Sequence, residues 1–275
     1  MAVRAPVDIR EPTAAVTPLI VEVPHAGTFV DDLTRATLAV DANAIARDAD
    51  LFVDELYSLA PTVGATLVTT PFSRYVVDLN RSETDLDEAT VEGGPREPRA
   101  TRGLVWRLTS DNRRAITKPL TRAEVDRRLA LVYRPYHAAL RRLIDERRAR
   151  FGYAVVLAGH SMPGTGRSGH GDPARVRADV VPGTRGRTSA ADVYIDAVDS
   201  LARASGLTVE HDMPYRGGFT TMHYGRPAEN VHVVQIELAR RLYMNEGTLV
   251  RTTGKFAALR AFCTDLVQRL GGLRP

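Results

Sequence analysis

Tyr153-Ala154-Val155-Val156-Leu157-Ala158-Gly159-His160-Ser161 is the stretch that decides the fold. From Tyr153 to Ala158 it is apolar without a break, and Gly159-His160-Ser161 closes it. A short continuous apolar run that stops at turn-forming residues reads as a strand buried on both faces. Such strands belong to parallel sheets covered by helices. Working outward, Leu19-Ile20-Val21-Glu22-Val23 is a second run of this kind, bounded by Pro18 and Pro24. Val231-His232-Val233-Val234-Gln235-Ile236-Glu237-Leu238 is a third, and shorter strands are expected from Ala65 to Thr69 and at Leu207-Thr208-Val209.

Helical patterns lie between the strands. One is expected over Thr34 to Ala46. A second should run from Asp48 to Leu59, with Leu51, Phe52, Leu56, Tyr57 and Leu59 on one side and Pro61 as its stop. Thr121-Arg122-Ala123-Glu124 is a capping box, in which Thr121 serves a free N–H and Glu124 reaches back. The long helix after it carries Val125, Leu129, Val132, Tyr133, Tyr136, Leu140, Leu143 and Ile144 at helical spacing, and Pro135 should kink or split it. Ser189 to Ala204, ended by Gly206, and Phe256 to Leu270 complete the set. Strands alternating with helices from end to end predict an α/β fold with a mostly parallel central sheet and helices on both faces. With no internal repeat and no linker, residues 1–275 read as a single domain. Residues 1–17 read as a loose arm, and 82–103, 162–190 and 211–230 as long loops.

Composition narrows the function. Cys263 is the only cysteine, which excludes an internal disulfide and a thiolate metal cluster. No signal peptide and no apolar run of membrane-spanning length is evident, so the sequence predicts a cytoplasmic protein without a membrane partner. The net charge is +4. The basic residues are interleaved with acids, as in Arg141-Arg142-Leu143-Ile144-Asp145-Glu146-Arg147-Arg148, which is a solvated helix face and not a nucleic-acid footprint. Oligomeric state is not written in the sequence.

Chemistry-bearing residues gather where an α/β sheet places its ligands, beyond the C-terminal ends of the strands. His25 follows Leu19–Val23, His160 follows 153–158, and Glu237 lies near the end of its strand. Two histidines and a carboxylate suit a catalytic zinc with one open position. Asp50 or Asp54, at i and i+4 on one expected helix face, can supply the carboxylate, with Asp78 as a further candidate behind them. Glu237, a carboxylate in an apolar strand, is placed to act as general base, or else to pair with Arg240 or Arg241. Ser73-Arg74-Tyr75-Val76-Val77-Asp78-Leu79-Asn80-Arg81 puts two arginine forks and an asparagine around a short apolar core, a clamp for an acidic substrate or a set of structural ion pairs around Asp78. Tyr215 to Gly225 has the paired glycines, Gly217 and Gly218, and the polar groups of a site-lining loop, with His223 among them. His137, His170, His211 and His232 are assigned to structure or surface.

Together, Pro24-His25-Ala26-Gly27, the Asp50 to Tyr57 segment, Ser73 to Arg81, Pro135-Tyr136-His137, His160-Ser161, Gly217-Gly218 with His223-Tyr224-Gly225, and Gln235 to Ala239 through Tyr243 to Glu246 resemble the N-formylglutamate amidohydrolases, also called N-formylglutamate deformylases. The pieces occur in the family's order. The resemblance implies a phosphorylase/hydrolase-like three-layer α/β fold, shared with the zinc carboxypeptidases and the aspartoacylases. It implies His25 and His160 as metal ligands. Thr28 stands where those relatives have their carboxylate ligand, so Asp50 or Asp54 would substitute. By similarity to the aspartoacylases, Asn80 and Arg81 would hold a substrate carboxylate, Arg74 would assist the oxyanion, and Glu237 would be the catalytic acid–base. The implied reaction is metal-dependent hydrolysis of N-formyl-L-glutamate to glutamate and formate, a step of histidine degradation. The implied cofactor is a divalent metal, zinc with cobalt as the alternative. A metallo-carboxypeptidase or deacylase with another small N-acyl amino acid, and a non-catalytic binder of acidic ligands, are the other readings.

Overall fold

The computed structural model describes residues 4–166 and 175–275, so part of the expected 162–190 loop, including His170, lies outside the described residues. The elements follow in the order β1 (Asp8–Arg10), β2 (Leu19–Val23), α1 (Asp32–Arg35), α2 (Ala42–Asp48), α3 (Val53–Leu56), β3 (Thr66–Thr69), α4 (Arg122–Arg128), α5 (Arg134–Phe151), β4 (Ala154–Met162), β5 (Val180–Gly183), α6 (Asp192–Ala204), α7 (Phe219–Tyr224), β6 (Val231–Ala239) and α8 (Thr253–Gly272). They gather into two compact units interleaved along the chain. The first comprises residues up to Asp8 with Pro24–Leu51 and Thr69–Arg141. The second comprises Ile9–Val23, Phe52–Val68 and Arg142–Pro275.

The second unit is built on a six-stranded, mostly parallel sheet in the order β1-β3-β2-β4-β6-β5. β2 pairs parallel with β4, and β4 parallel with β6, in a register that sets His160 opposite Glu237. β5 closes one edge antiparallel to β6. Every residue of β2, β4 and β6 is buried, which is why each reads as an unbroken apolar run. α8 packs on β2 and β4 and against α3 and α6, while α6 packs on β5. α6 buries Tyr194, Ile195, Ala197, Val198 and Ala202, a one-sided stripe at helical spacing. It begins at Asp192 rather than Ser189 because the Ser189 hydroxyl is spent on the β6 backbone, donating to Val233 O at 2.7 Å. β4 is longer than its apolar core: Gly159, His160 and Ser161 lie inside the strand and do not close it. Leu207-Thr208-Val209 is reduced to a single bridge, Val209 to Val180. The 211–230 stretch is not wholly loop, since it forms α7.

In the first unit the expected helix over Thr34 to Ala46 is two short helices. Asp31 caps α1, Asp41 caps α2, and the residues between are drawn into backbone bonds with 115–117. The helix expected over Asp48 to Leu59 does not form as one piece. α2 ends at Asp48, Ala49 is extended, Phe52 is left-handed at φ 67°, and only Val53–Leu56 is helical beyond. Asp50 and Asp54 therefore do not share a helix face. Tertiary bonds win here: the Asp48 carboxylate takes the Tyr75 and Ser110 hydroxyls and the Ser110 N–H, and Asp50 N–H donates to His25 O at 2.9 Å.

Half of the capping box forms. Thr121 accepts from Glu124 N–H, but the Glu124 carboxylate turns to Arg127 and Arg128. Between α4 and α5 the helix widens into a π-turn at Leu129–Tyr133, directly before Pro135. This loosens the backbone where the proline ring would otherwise meet the carbonyl of the preceding turn. Loop 82–103 has no helix or strand, yet it is anchored. Buried Asp87 accepts from Thr90 Oγ1, Arg99 N–H and Arg107, and Glu92 N–H donates to Leu120 O.

Arg128 ties this unit together. Fully buried, it donates to Glu124, to the Thr37 hydroxyl and to the carbonyls of Tyr75 and Val76. Replacing it with Met leaves the carbonyls of the buried Tyr75 and Val76 without this donor, while Glu124 keeps Arg127. Urea denaturation should show a loss of about 2–6 kcal/mol, at about 1–3 kcal/mol for each buried acceptor left unsatisfied. Among the described residues, no helix is long and apolar enough to cross a membrane.

Candidate metal and hydrolytic site

In the first unit, Pro24-His25-Ala26-Gly27 leaves β2 and runs beside residues 70–73. Phe29 N–H donates to Pro71 O, and Ser73 N–H to Phe29 O, each at 2.9 Å. The two backbones touch at Gly27, where an added Cβ would stand 2.4 Å from Pro71 C and 2.5 Å from Thr70 O. Only glycine allows that approach. The segment 73–81 is a chain of turns and not a strand edge. It is latched from behind by Arg128, by Tyr133 Oη on Arg81 O at 2.8 Å, and by His137 Nε2 against Leu79 O at 3.0 Å.

This places the buried Asp78 carboxylate against His25 Nε2 at 2.8 Å. Asp78 Oδ1 also accepts from Asn80 N–H at 2.8 Å, and Oδ2 from Trp106 Nε1 at 2.9 Å. Burial alone would raise the Asp78 carboxyl. The His25 charge and hydrogen bond, with the Arg74 and Arg81 charges, outweigh it and hold the group far below the usual carboxylate range. Asp78 thus holds His25 and Trp106 rather than Arg74 or Arg81. A carboxylate on one ring nitrogen fixes a histidine's tautomer and orientation, as in carboxylate–histidine–metal arrangements. The other nitrogen, Nδ1, is 3.7 Å from Asp50 Oδ2. That is too long for a hydrogen bond but suits two donors that each bond one ion at about 2.0–2.2 Å. Arg74 lies 3.6 Å from the same Asp50 oxygen, with its guanidinium 4.9 Å above the Trp106 ring. Arg81 donates Nε to Arg102 O. Trp106 was not legible as a site residue, because nothing local marks the lone tryptophan as the partner of an aspartate 28 positions away.

In the second unit, β4 carries His160 and β6 carries Glu237, directly opposite and both buried. Glu237 is buried and does not project to the surface. Gln235, two residues before it on the same strand face, donates Nε2 to Glu237 Oε1 at 2.9 Å and accepts Gly218 N–H on its own Oε1 at 2.9 Å. Gln235 is a second residue that sequence reasoning passed over, although its period-two spacing from Glu237 was a usable signal. His223 lies on α7, its ring stacked on Phe219 at 4.7 Å. His232 is buried against Tyr194 and takes Ala191 N–H, and His211 pairs with Asp199, so both are structural. Burial pushes the Cys263 thiol up to about 12, which keeps it out of nucleophilic chemistry.

His25, Asp50 and His160 form a group that could hold a metal ion: one donor atom from each lies within 4.8 Å of the others, and all three residues are buried. Two imidazoles and a carboxylate are the donor set of a catalytic zinc site. Asp54 is not in the group.

The N-formylglutamate amidohydrolase family profile matches residues 17–244, a span that includes all of these groups. The chain belongs to that family. Among N-formylglutamate amidohydrolase relatives, it is 32% identical over 232 residues to the N-formylglutamate deformylase of Pseudomonas putida, covering 83% of this chain and 82% of the relative. It is 31% identical over 257 residues to the N-formylglutamate deformylase of Pseudomonas aeruginosa, covering 92% of each. The crystal structure of an N-formylglutamate amidohydrolase from Ralstonia eutropha JMP134 superposes with a TM-score of 0.88 at 36% identity, covering 98% of this chain and 97% of the other. A gene product of Agrobacterium tumefaciens, at 22% identity and TM-score 0.72, shares the fold over 98% of this chain and 96% of its own.

Proposed function

We propose that this chain hydrolyses the formyl amide of N-formyl-L-glutamate, giving L-glutamate and formate, and that it depends on one divalent metal, zinc or cobalt, held by His25, Asp50 and His160. The observation that carries the metal is the buried His–Asp–His group, with Asp78 orienting the first histidine. The substrate follows from the names of the relatives. A divalent ion at such a donor set acidifies a water and polarises a carbonyl.

The chain's own residues do the rest. Glu237 takes the proton of the attacking water and returns it to the leaving nitrogen. Gln235 holds one oxygen of that carboxylate and so fixes its orientation. Arg74, kept in place by the Trp106 ring, supplies positive charge where the formyl oxygen becomes an oxyanion. Asn80 and Arg81 grip a substrate carboxylate. Gly218, whose N–H is tied to Gln235, and His223 line the loop over the leaving group. In this reading, residues 1–275 work as one amidohydrolase domain in the cytoplasm, with a small carboxylate-bearing N-acyl amino acid as the substrate.

Formate release from N-formyl-L-glutamate tests it, measured on protein as purified, after chelator treatment, and after reloading. Activity should vanish on stripping and return with zinc or cobalt. Activity that survives complete removal of metal would overturn the metal, and no release from loaded protein would overturn the substrate.

A further inference from the structure

Glu22 is a carboxylate in the middle of the parallel sheet, and nothing derived so far uses it. It is fully buried in β2, between Val21 and Val23, which point to the opposite face. β2, β4 and β6 all belong to the second unit, and their register fixes what shares a face with Glu22. Residues paired across neighbouring strands project to the same side, and so does every second residue along a strand. One face therefore carries three successive rows. Ile20, Val156 and Val233 form an apolar row. Glu22, Ala158 and Gln235 form the next. His160 and Glu237 form the third.

A buried carboxylate is costly unless it is paired and hydrogen-bonded. The row before Glu22 offers it only hydrocarbon. In its own row the neighbour is Ala158, whose methyl group leaves room beside it. Gln235 stands two strands away, about 9–10 Å at ordinary strand spacing. Its amide is already engaged, with Gly218 N–H on Oε1 and Glu237 on Nε2. His160 is the diagonal neighbour, one strand over and two residues further along. Long side chains meet across that diagonal.

His160 has the complementary need. A histidine that ligates a metal through one nitrogen donates its other ring N–H to a carboxylate, a carbonyl or water. For His25 that partner is Asp78, at 2.8 Å. We infer that Glu22 does the same for His160, accepting the N–H of the ring nitrogen that is not a metal donor and so setting the tautomer and aim of the second histidine. Glu22 is then a positioning residue, and each histidine of the group is backed by a buried carboxylate of its own. The inference rests on the metal reading proposed above.

Two measurements test it. The first is zinc affinity, by competition with a chromophoric chelator, for wild type, Glu22→Leu and Glu22→Gln, with Asp78→Asn as the benchmark and circular dichroism to show that each is folded. Glu22→Leu should bind zinc about 10- to 100-fold more weakly, the usual effect of losing an outer partner of a ligating histidine. Glu22→Gln, whose amide oxygen still accepts the bond, should lose less. Wild-type affinity in folded Glu22→Leu would overturn the inference. The second measurement needs no metal: nitrogen NMR of metal-free protein labelled in histidine, with the His160 ring assigned by its loss in His160→Ala. Wild type should hold His160 in one tautomer with a slowly exchanging ring N–H, and Glu22→Leu should lose that protection. A wild-type ring that mixes tautomers or exchanges freely overturns the inference, whether or not Glu22→Leu folds. A wild type that binds no zinc yet shows the protected tautomer overturns the metal reading and leaves the contact between Glu22 and His160 standing.

Discussion

Glu237→Gln should keep its metal and its fold but lose about 10²- to 10⁴-fold in kcat, the range that a positioned general acid–base contributes. The substitution preserves shape and removes only the ability to take and return a proton. Its neighbours tolerate the change: Gln235 already meets Glu237 through an amide N–H, and a glutamine carbonyl can accept that bond. The strand is paired on both sides at this position, to His160 on β4 and Val181 on β5, so the backbone has no freedom to relax. Rapid-quench measurement of formate release, beside metal analysis of the same sample, checks the prediction. Near-normal turnover in the metal-loaded variant would remove Glu237 from the mechanism. Loss of metal together with activity would instead move it into the ligand set.

Asp50→Ala should lose the metal, and Asp54→Ala should keep it. The spacing of these two aspartates left the choice between them open. In the structure Asp50 lies 3.7 Å from His25 Nδ1, with its own N–H donating to His25 O, whereas Asp54 lies in the short helix α3, outside the group of possible ligands. Losing an outer hydrogen-bond partner of a ligating histidine costs about 10–100-fold in metal affinity, and losing a ligand should cost more. Competition of each variant against a chromophoric chelator measures this directly. An Asp54→Ala protein that loses metal while Asp50→Ala retains it would reverse the assignment.

The sequence by itself determined the architecture. β2, β4 and β6 are buried on both faces, so they had to be continuous apolar runs, and such runs are visible in any window of a few residues. The order of motifs along the chain pointed to the family for the same reason: each motif is a short local string. Helix boundaries were less legible where polar side chains chose distant partners. Asp48 ends its helix by bonding Tyr75 and Ser110, 27 and 62 positions away, and no helical periodicity reports that. Only the tertiary structure decided that Asp78 stands behind His25, that Trp106 and Asn80 hold Asp78 there, and that Gln235 links Glu237 to the Gly218 loop. Hydrogen bonds between residues far apart in sequence depend on how the chain returns on itself. Local pattern, which sees burial and periodicity, carries no record of them.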